Sequence, residues 1–184
     1  MKKLLLVLFT LSVIAFIVPL RAVAQPAGDV AYQKAVPAFW RNVVLELDAS
    51  IGTKHDGMAP LELGANLGYR FIPRMYAFVH GGNLMGLYDK DHGRRYTKSA
   101  VLGGGLGYTL WRTEAMDLDL RGMVTAAVGD ADYKHVAYDA GLRFRVNTGG
   151  ALKVNIGVGF RHVSSRTAGI GTYNGLFGTL GFGF

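Results

Sequence analysis

From residue 42 onward the sequence alternates between apolar and polar side chains in segment after segment, and a period of two is the signature of extended strands rather than helices. Over residues 43–52, Leu45, Leu47, Ala49 and Ile51 fall on one face and Glu46, Asp48 and Ser50 on the other. Seven further segments follow. Residues 61–71 set Leu61, Leu63, Leu67, Tyr69 and Phe71 against Glu62, Asn66 and Arg70; residues 75–88 are apolar on both faces. Residues 99–111 set Leu102, Leu106, Tyr108 and Leu110 against Gly103, Gly105 and Gly107, and residues 116–128 set Leu118, Leu120 and Val124 against Asp117, Asp119, Arg121 and Thr125. Residues 133–146 set Tyr138, Leu142 and Phe144 against Asp139, Arg143 and Arg145. Residues 152–163 set Val154, Ile156, Val158 and Phe160 against Lys153, Asn155 and Arg161, and residues 173–184 close the set. Eight is an even number, and each segment is about the 9 to 11 residues, or slightly more, that a tilted strand needs to cross a bilayer.

The N-terminus reads as an export signal. Lys2 and Lys3 precede an apolar run over residues 4–20, and Ala22, Val23 and Ala24 place small residues where signal peptidase cuts. A permanent helical anchor usually needs about 20 apolar residues, and Pro19 and Arg21 interrupt this run. Residues 1–24 are therefore expected to be cleaved, residues 25–41 to form a periplasmic segment and residues 42–184 the barrel. The mature chain of 160 residues fits one domain. The absence of cysteine excludes a lipidated N-terminus, disulfides and thiolate metal sites.

Half of the residues are apolar and 26 are glycine, yet no stretch after the signal is long enough to span a bilayer as a helix. Within a membrane such a chain must close into a barrel, which alone pairs every backbone polar group. Removal of Lys2, Lys3 and Arg21 lowers the net charge from +7 to +4, too diffuse a balance for nucleic-acid binding. The connections at residues 72–74, 112–115 and 147–151 are short, whereas those at 54–60, 89–98, 129–132 and 164–172 are mostly longer and more polar. Short periplasmic turns alternating with longer external loops put both termini in the periplasm. An aromatic girdle of Trp40, Tyr76, Tyr108, Trp111, Phe144, Phe182 and Phe184 is expected at the periplasmic rim, and one of Tyr88, Tyr96, Tyr133 and Tyr173 at the outer rim.

A soluble barrel of the lipocalin type would show the same alternation with its apolar face inward. The signal, the terminal phenylalanine and the girdles together favour the membrane form. With the polar faces inward, the lumen holds Glu46, Asp48, Glu62, Asp117, Asp119 and Asp139 beside Arg70, Arg121, Arg143, Arg145, Lys153 and Arg161. Charges removed from water persist when paired and hydrogen-bonded. An eight-stranded barrel is just wide enough for side chains to fill it, so this set reads as a structural ion-pair core in preference to a gated narrow ion path.

The chain closes on Leu176, Leu180, Phe182 and Phe184 along one strand face, with an aromatic residue last. Together with the signal, the eight segments and the charged inner face, this resembles the small outer-membrane barrels of the OmpA and OmpX type. The resemblance implies an all-β, eight-stranded antiparallel up-and-down transmembrane β-barrel in the outer membrane of a Gram-negative cell. It also implies insertion by the barrel-assembly machinery, with Leu180, Phe182 and Phe184 as the assembly signal. It imports no activity, since the superfamily hosts adhesins, tethers, channels and enzymes.

One local pair could carry chemistry. His162 and Ser164 continue the outward register of Val158 and Phe160, and a histidine near a serine is the arrangement of general-base activation. The pair resembles the His-x-Ser motif of lipid A deacylase barrels. It departs from that family in having Ser165 where an asparagine normally follows, and in lacking any Asp or Glu after Asp139, so that Asn174 would have to complete a triad. Two polar residues at a membrane boundary are the simpler reading. Around the outer rim, Lys54, His55, Lys90, His92, Arg94, Arg95, Lys98, Lys134, His135 and Arg166 could meet lipopolysaccharide phosphates. The histidines show no metal-ligand spacing and no phosphate-binding glycine loop occurs, so no metal or cofactor is expected. The expected partners are outer-membrane lipids, lipopolysaccharide and the assembly machinery, with no nucleic acid; no extracellular ligand can be named. The expected role is envelope integrity or surface interaction without catalysis, with a lipid A deacylase-like hydrolase as the alternative.

Overall fold

The computed structural model describes Phe39 and residues 42–55, 57–88, 99–148, 152–168 and 170–184. The expected signal and most of the periplasmic segment, with Trp40, lie outside them. Eight strands run in chain order: β1 (Val43–Gly52), β2 (Met58–Ile72), β3 (Met75–Tyr88), β4 (Ser99–Arg112), β5 (Met116–Ala127), β6 (His135–Asn147), β7 (Lys153–Ser165) and β8 (Tyr173–Gly183). Each pairs antiparallel with its neighbour in sequence, and β8 pairs with β1 to close the barrel.

The register fixes the shape. Val43 pairs in turn around the ring with Tyr69, Ala77, Leu106, Gly122, Ala140, Phe160 and Leu176. The carbonyl of Leu176 then accepts from the Thr53 amide, so one circuit returns to β1 ten residues further along. With ordinary strand rise and spacing, that stagger tilts the strands by about 40° and gives a backbone diameter of about 16 Å. Each residue advances about 2.5 Å along the axis, so about ten residues of a strand cover the roughly 25 Å apolar height of an outer-membrane barrel.

Alternation is read in the direction opposite to that of a soluble protein. On β2, Leu67 is 56% exposed while its neighbour Asn66 is 2% exposed. Leu47, Val79, Leu102, Leu106, Val124 and Val158 also stand outward, whereas Glu46, Asp119, Arg145 and Arg161 are buried within. No Asp, Glu, Lys or Arg falls on the outward rows of the eight strands. An interior of charges and an exterior of aliphatics is unstable in water and suited to hydrocarbon, which removes the lipocalin-type arrangement.

Local chemistry sets the strand ends. β1 stops opposite Pro60, which has no amide proton to extend the ladder. Gly57, with φ +76°, turns the chain between β1 and β2, where His55 and Met58 exchange backbone hydrogen bonds. On β4, a Cβ at Gly105 would lie 2.6 Å from Phe78 Cζ, so the glycines there make room for aromatic rings inside a narrow tube.

Candidate functional site

The lumen is the site that the fold builds. Its lower network, toward the turn end, gathers three carboxylates and three arginines from three strands, β1, β5 and β6. Glu46 Oε2 accepts from Arg121 Nη1 at 2.6 Å and from Arg143 Nη1 at 2.9 Å. Arg143 also reaches Asp48 through both terminal nitrogens, at 2.9 and 3.0 Å. Arg145 pairs with Asp119, which also accepts from the Tyr76 hydroxyl at 2.9 Å. Arg121 lies 4.0 Å over the Phe78 ring and Arg145 5.1 Å over that of Tyr76, so the guanidinium faces are covered as well as their edges.

The upper network is smaller. Arg161 binds Asp139 in a two-pronged pair, Nε to Oδ1 at 2.8 Å and Nη2 to Oδ2 at 2.7 Å, and its third nitrogen reaches Glu62 Oε2 at 2.8 Å. Phe177 stacks beneath this guanidinium at 5.1 Å. His80 and Asn66 join the two networks. His80 Nε2 is 2.8 Å from Glu62 Oε1, its Nδ1 is 2.8 Å from Asn66 Oδ1, and Asn66 Nδ2 donates to Asp48 Oδ2 at 2.5 Å. Between the networks lies a cavity of about 60 Å³, lined in part by Asp48, Glu62, His80, Asp139, Arg143 and Arg161. At about 10–15 Å³ for each water centre, that space holds a few waters and no larger solute.

Above the charges, toward the loop end, the lumen turns apolar. Leu84, Val101, Tyr133, Ala137, Val163 and Tyr173 form one buried cluster, against which Ile170 packs from the β7–β8 connection. An ion entering from the loop side would shed its hydration at this cap before meeting any charge.

Ten of the twelve expected lumen charges join ion pairs inside the tube or at its mouth. Asp117 pairs with Arg112 at 3.1 Å, at the turn-end mouth. Arg70 and Lys153 stand apart from the described ion pairs: Arg70 donates to the Pro73 carbonyl at 3.1 Å and lies 5.8 Å from the Tyr76 ring centre, and Lys153 is half-buried at the start of β7. Both flank the mouth, where water competes for them. Tyr76, Phe78, His80 and Phe177 are lumen residues that alternation did not single out. On β3 both faces are apolar, and only the buried polar neighbours of His80 tell inside from outside.

The girdles need correction. Tyr76 is fully buried inside the tube rather than at the periplasmic rim, because it shares the inward row of Phe78 and His80. At the outer rim, Tyr133 and Tyr173 turn inward into the cap and stack on His135 and His55 at 4.5 Å each. His135 is thereby buried rather than presented on the loop rim. Tyr69, Phe71, Tyr108, Trp111 and Phe144 do stand outward near the turn end, and Phe39 stacks on Tyr69 at 5.4 Å. Tyr96, the side chain of Tyr88 and the basic residues 90–98 lie outside the described residues.

On the outer wall, His162 Nδ1 lies 2.7 Å from Asn174 Oδ1 across the β7–β8 pair, with the Tyr138 ring 6.0 Å away. Ser164 is half-buried further along the same face, and among the described residues no hydrogen bond joins it to His162. Leu180 and Phe182 are half-buried and Phe184 is 55% exposed at the end of the outward row of β8, the Phe184 amide donating to the Leu45 carbonyl at 2.9 Å. Among the described residues no group of three or more His, Asp or Glu is placed to hold a metal ion.

A family model described as protein of unknown function, DUF481, matches residues 61–128, from β2 to just past β5. No curated protein matches the chain. Among solved structures, the chain is similar to neisserial surface protein A, with 12% identity over 77% of this chain and 92% of that one and a TM-score of 0.48. It is similar to a de novo designed transmembrane β-barrel, with 11% identity over 77% of this chain and 93% of that one and a TM-score of 0.45. It is also similar to the outer-membrane channel DcaP of Acinetobacter baumannii, with 9% identity over 68% of this chain and 41% of that one and a TM-score of 0.32.

Proposed function

We propose that this protein is an outer-membrane barrel with a sealed lumen, serving envelope integrity or surface interaction rather than transport. One observation carries the reading: the outward rows are free of charge over a bilayer's apolar height, while the inward rows hold a paired ionic core beneath an apolar cap. Buried pairs of this kind are costly to break and leave no hydrated path. Export through a cleaved signal and assembly through the last strand belong to the same reading. So does contact between loop-end basic residues such as Lys134 and Arg166 and lipopolysaccharide phosphates. The test is current across planar bilayers containing the full mature protein. Little or no current is expected, and steady unitary steps would overturn the sealed lumen.

One observation favours a second reading, a lipid A deacylase-like hydrolase: Asn174 Oδ1 meets His162 Nδ1 at 2.7 Å on the outer wall, as the orienting group of a triad would. Mass spectrometry of lipid A from cells making the wild type or His162→Ala separates the two. Identical spectra are expected; an acyl chain lost only with the wild type would establish the enzyme.

A further inference from the structure

We propose that His80 is a buried proton-binding site, its ring held as the imidazolium by acceptors on both sides, which ties the two ion networks together. A neutral imidazole has one donor and one acceptor nitrogen, whereas the imidazolium has two donors. Both nitrogens of His80 face acceptors at 2.8 Å, a Glu62 carboxylate oxygen on one side and Asn66 Oδ1 on the other. The orientation of Asn66 is fixed from below. Turning its amide over would place its oxygen 2.5 Å from Asp48 Oδ2, two acceptors in contact, whereas its nitrogen donates there and also faces Glu46 Oε2 at 3.5 Å. Asn66 therefore offers His80 an acceptor, and both His80 nitrogens must donate.

The charged groups lining the cavity beside His80 are Glu62 on β2, Asp48 on β1, Arg121 on β5, Asp139 and Arg143 on β6 and Arg161 on β7; β4 pairs Gly103 with His80, and β8 presents Phe177 and Thr179 to the cavity. The His80 ring, 4% exposed, bridges Glu62 above to Asn66 and Asp48 below, so its two donors tie the halves of the plug together.

The inference rests on the sealed lumen of the proposed function, and its test is independent of current. The full mature protein, labelled with ¹⁵N at histidine and held in detergent micelles, is observed by NMR at pH 7.5. His80 is assigned as the signal left unchanged in His55→Gln, His92→Gln, His135→Gln and His162→Gln. If His135→Gln does not fold, the ring contact of His135 with Tyr133 identifies it instead. A proton is expected on both His80 nitrogens. A His80 nitrogen without a proton at pH 7.5 overturns the site whether or not the barrel conducts.

Discussion

Arg161→Met is the sharpest perturbation of the lumen. Arg161 supplies three hydrogen bonds to Asp139 and Glu62, all between 2.7 and 2.8 Å, and all three side chains are at most 7% exposed. Methionine keeps the packing of the stem against Phe177 but leaves two carboxylates facing one imidazole. Removing one partner of a buried ionic cluster costs about 3–5 kcal/mol, a fall of roughly a hundred- to several-thousand-fold in the folded-to-unfolded ratio. The assay is urea unfolding in detergent, followed by tryptophan emission, since Trp111 stands outward and changes solvent on unfolding. The double variant Asp139→Leu, Arg161→Met removes one charge of each sign and leaves Glu62 paired with His80, and it should recover most of the loss because an apolar replacement of a buried ionic pair is close to neutral. A loss below about 1 kcal/mol for Arg161→Met alone would mean that water solvates these carboxylates, as it does exposed pairs, and would refute the sealed interior.

Other expectations follow from the same geometry. Val163→Ala, in the apolar cap, should cost about 1–2 kcal/mol by urea unfolding, whereas the same change at the outward Val79 should cost little in detergent. Val158→Arg, near the middle of the apolar height, should cost about 2–4 kcal/mol in lipid vesicles, and Val128→Arg, at the loop end, no more than about 1 kcal/mol; equal costs would contradict the placement of the band. Gly105→Leu should abolish folding or lower the yield of the heat-modifiable band on gels, because its side chain would collide with Phe78 inside the tube.

Much of this arrangement is legible in the chain because period two carries it. Glu46 and Asp48, or Arg143 and Arg145, are separated by single apolar residues, so any strand through them sorts charge from aliphatic. β3 carried no such contrast: Tyr76, Phe78 and His80 alternate with Ala77, Val79 and Gly81, and the pattern cannot say which face meets the axis. Partners were also hidden. That Arg161 meets Glu62, 99 residues away, follows from the ten-residue stagger of the closed ring, a property of eight pairings together. Tyr133 and Tyr173 sit where rim aromatics are expected, yet the loop-end lumen needs bulk to fill it, and that demand turned them inward.

The chain has no cysteine, so a single one can be introduced at will and labelled with a fluorophore. A probe at Val158→Cys in lipid vesicles whose acyl chains carry a quencher should lose most of its emission, while one at Glu114→Cys, exposed in the turn between β4 and β5, should keep it. Equal emission from both positions, or stronger quenching at Glu114, would contradict a hydrocarbon-facing wall around the barrel.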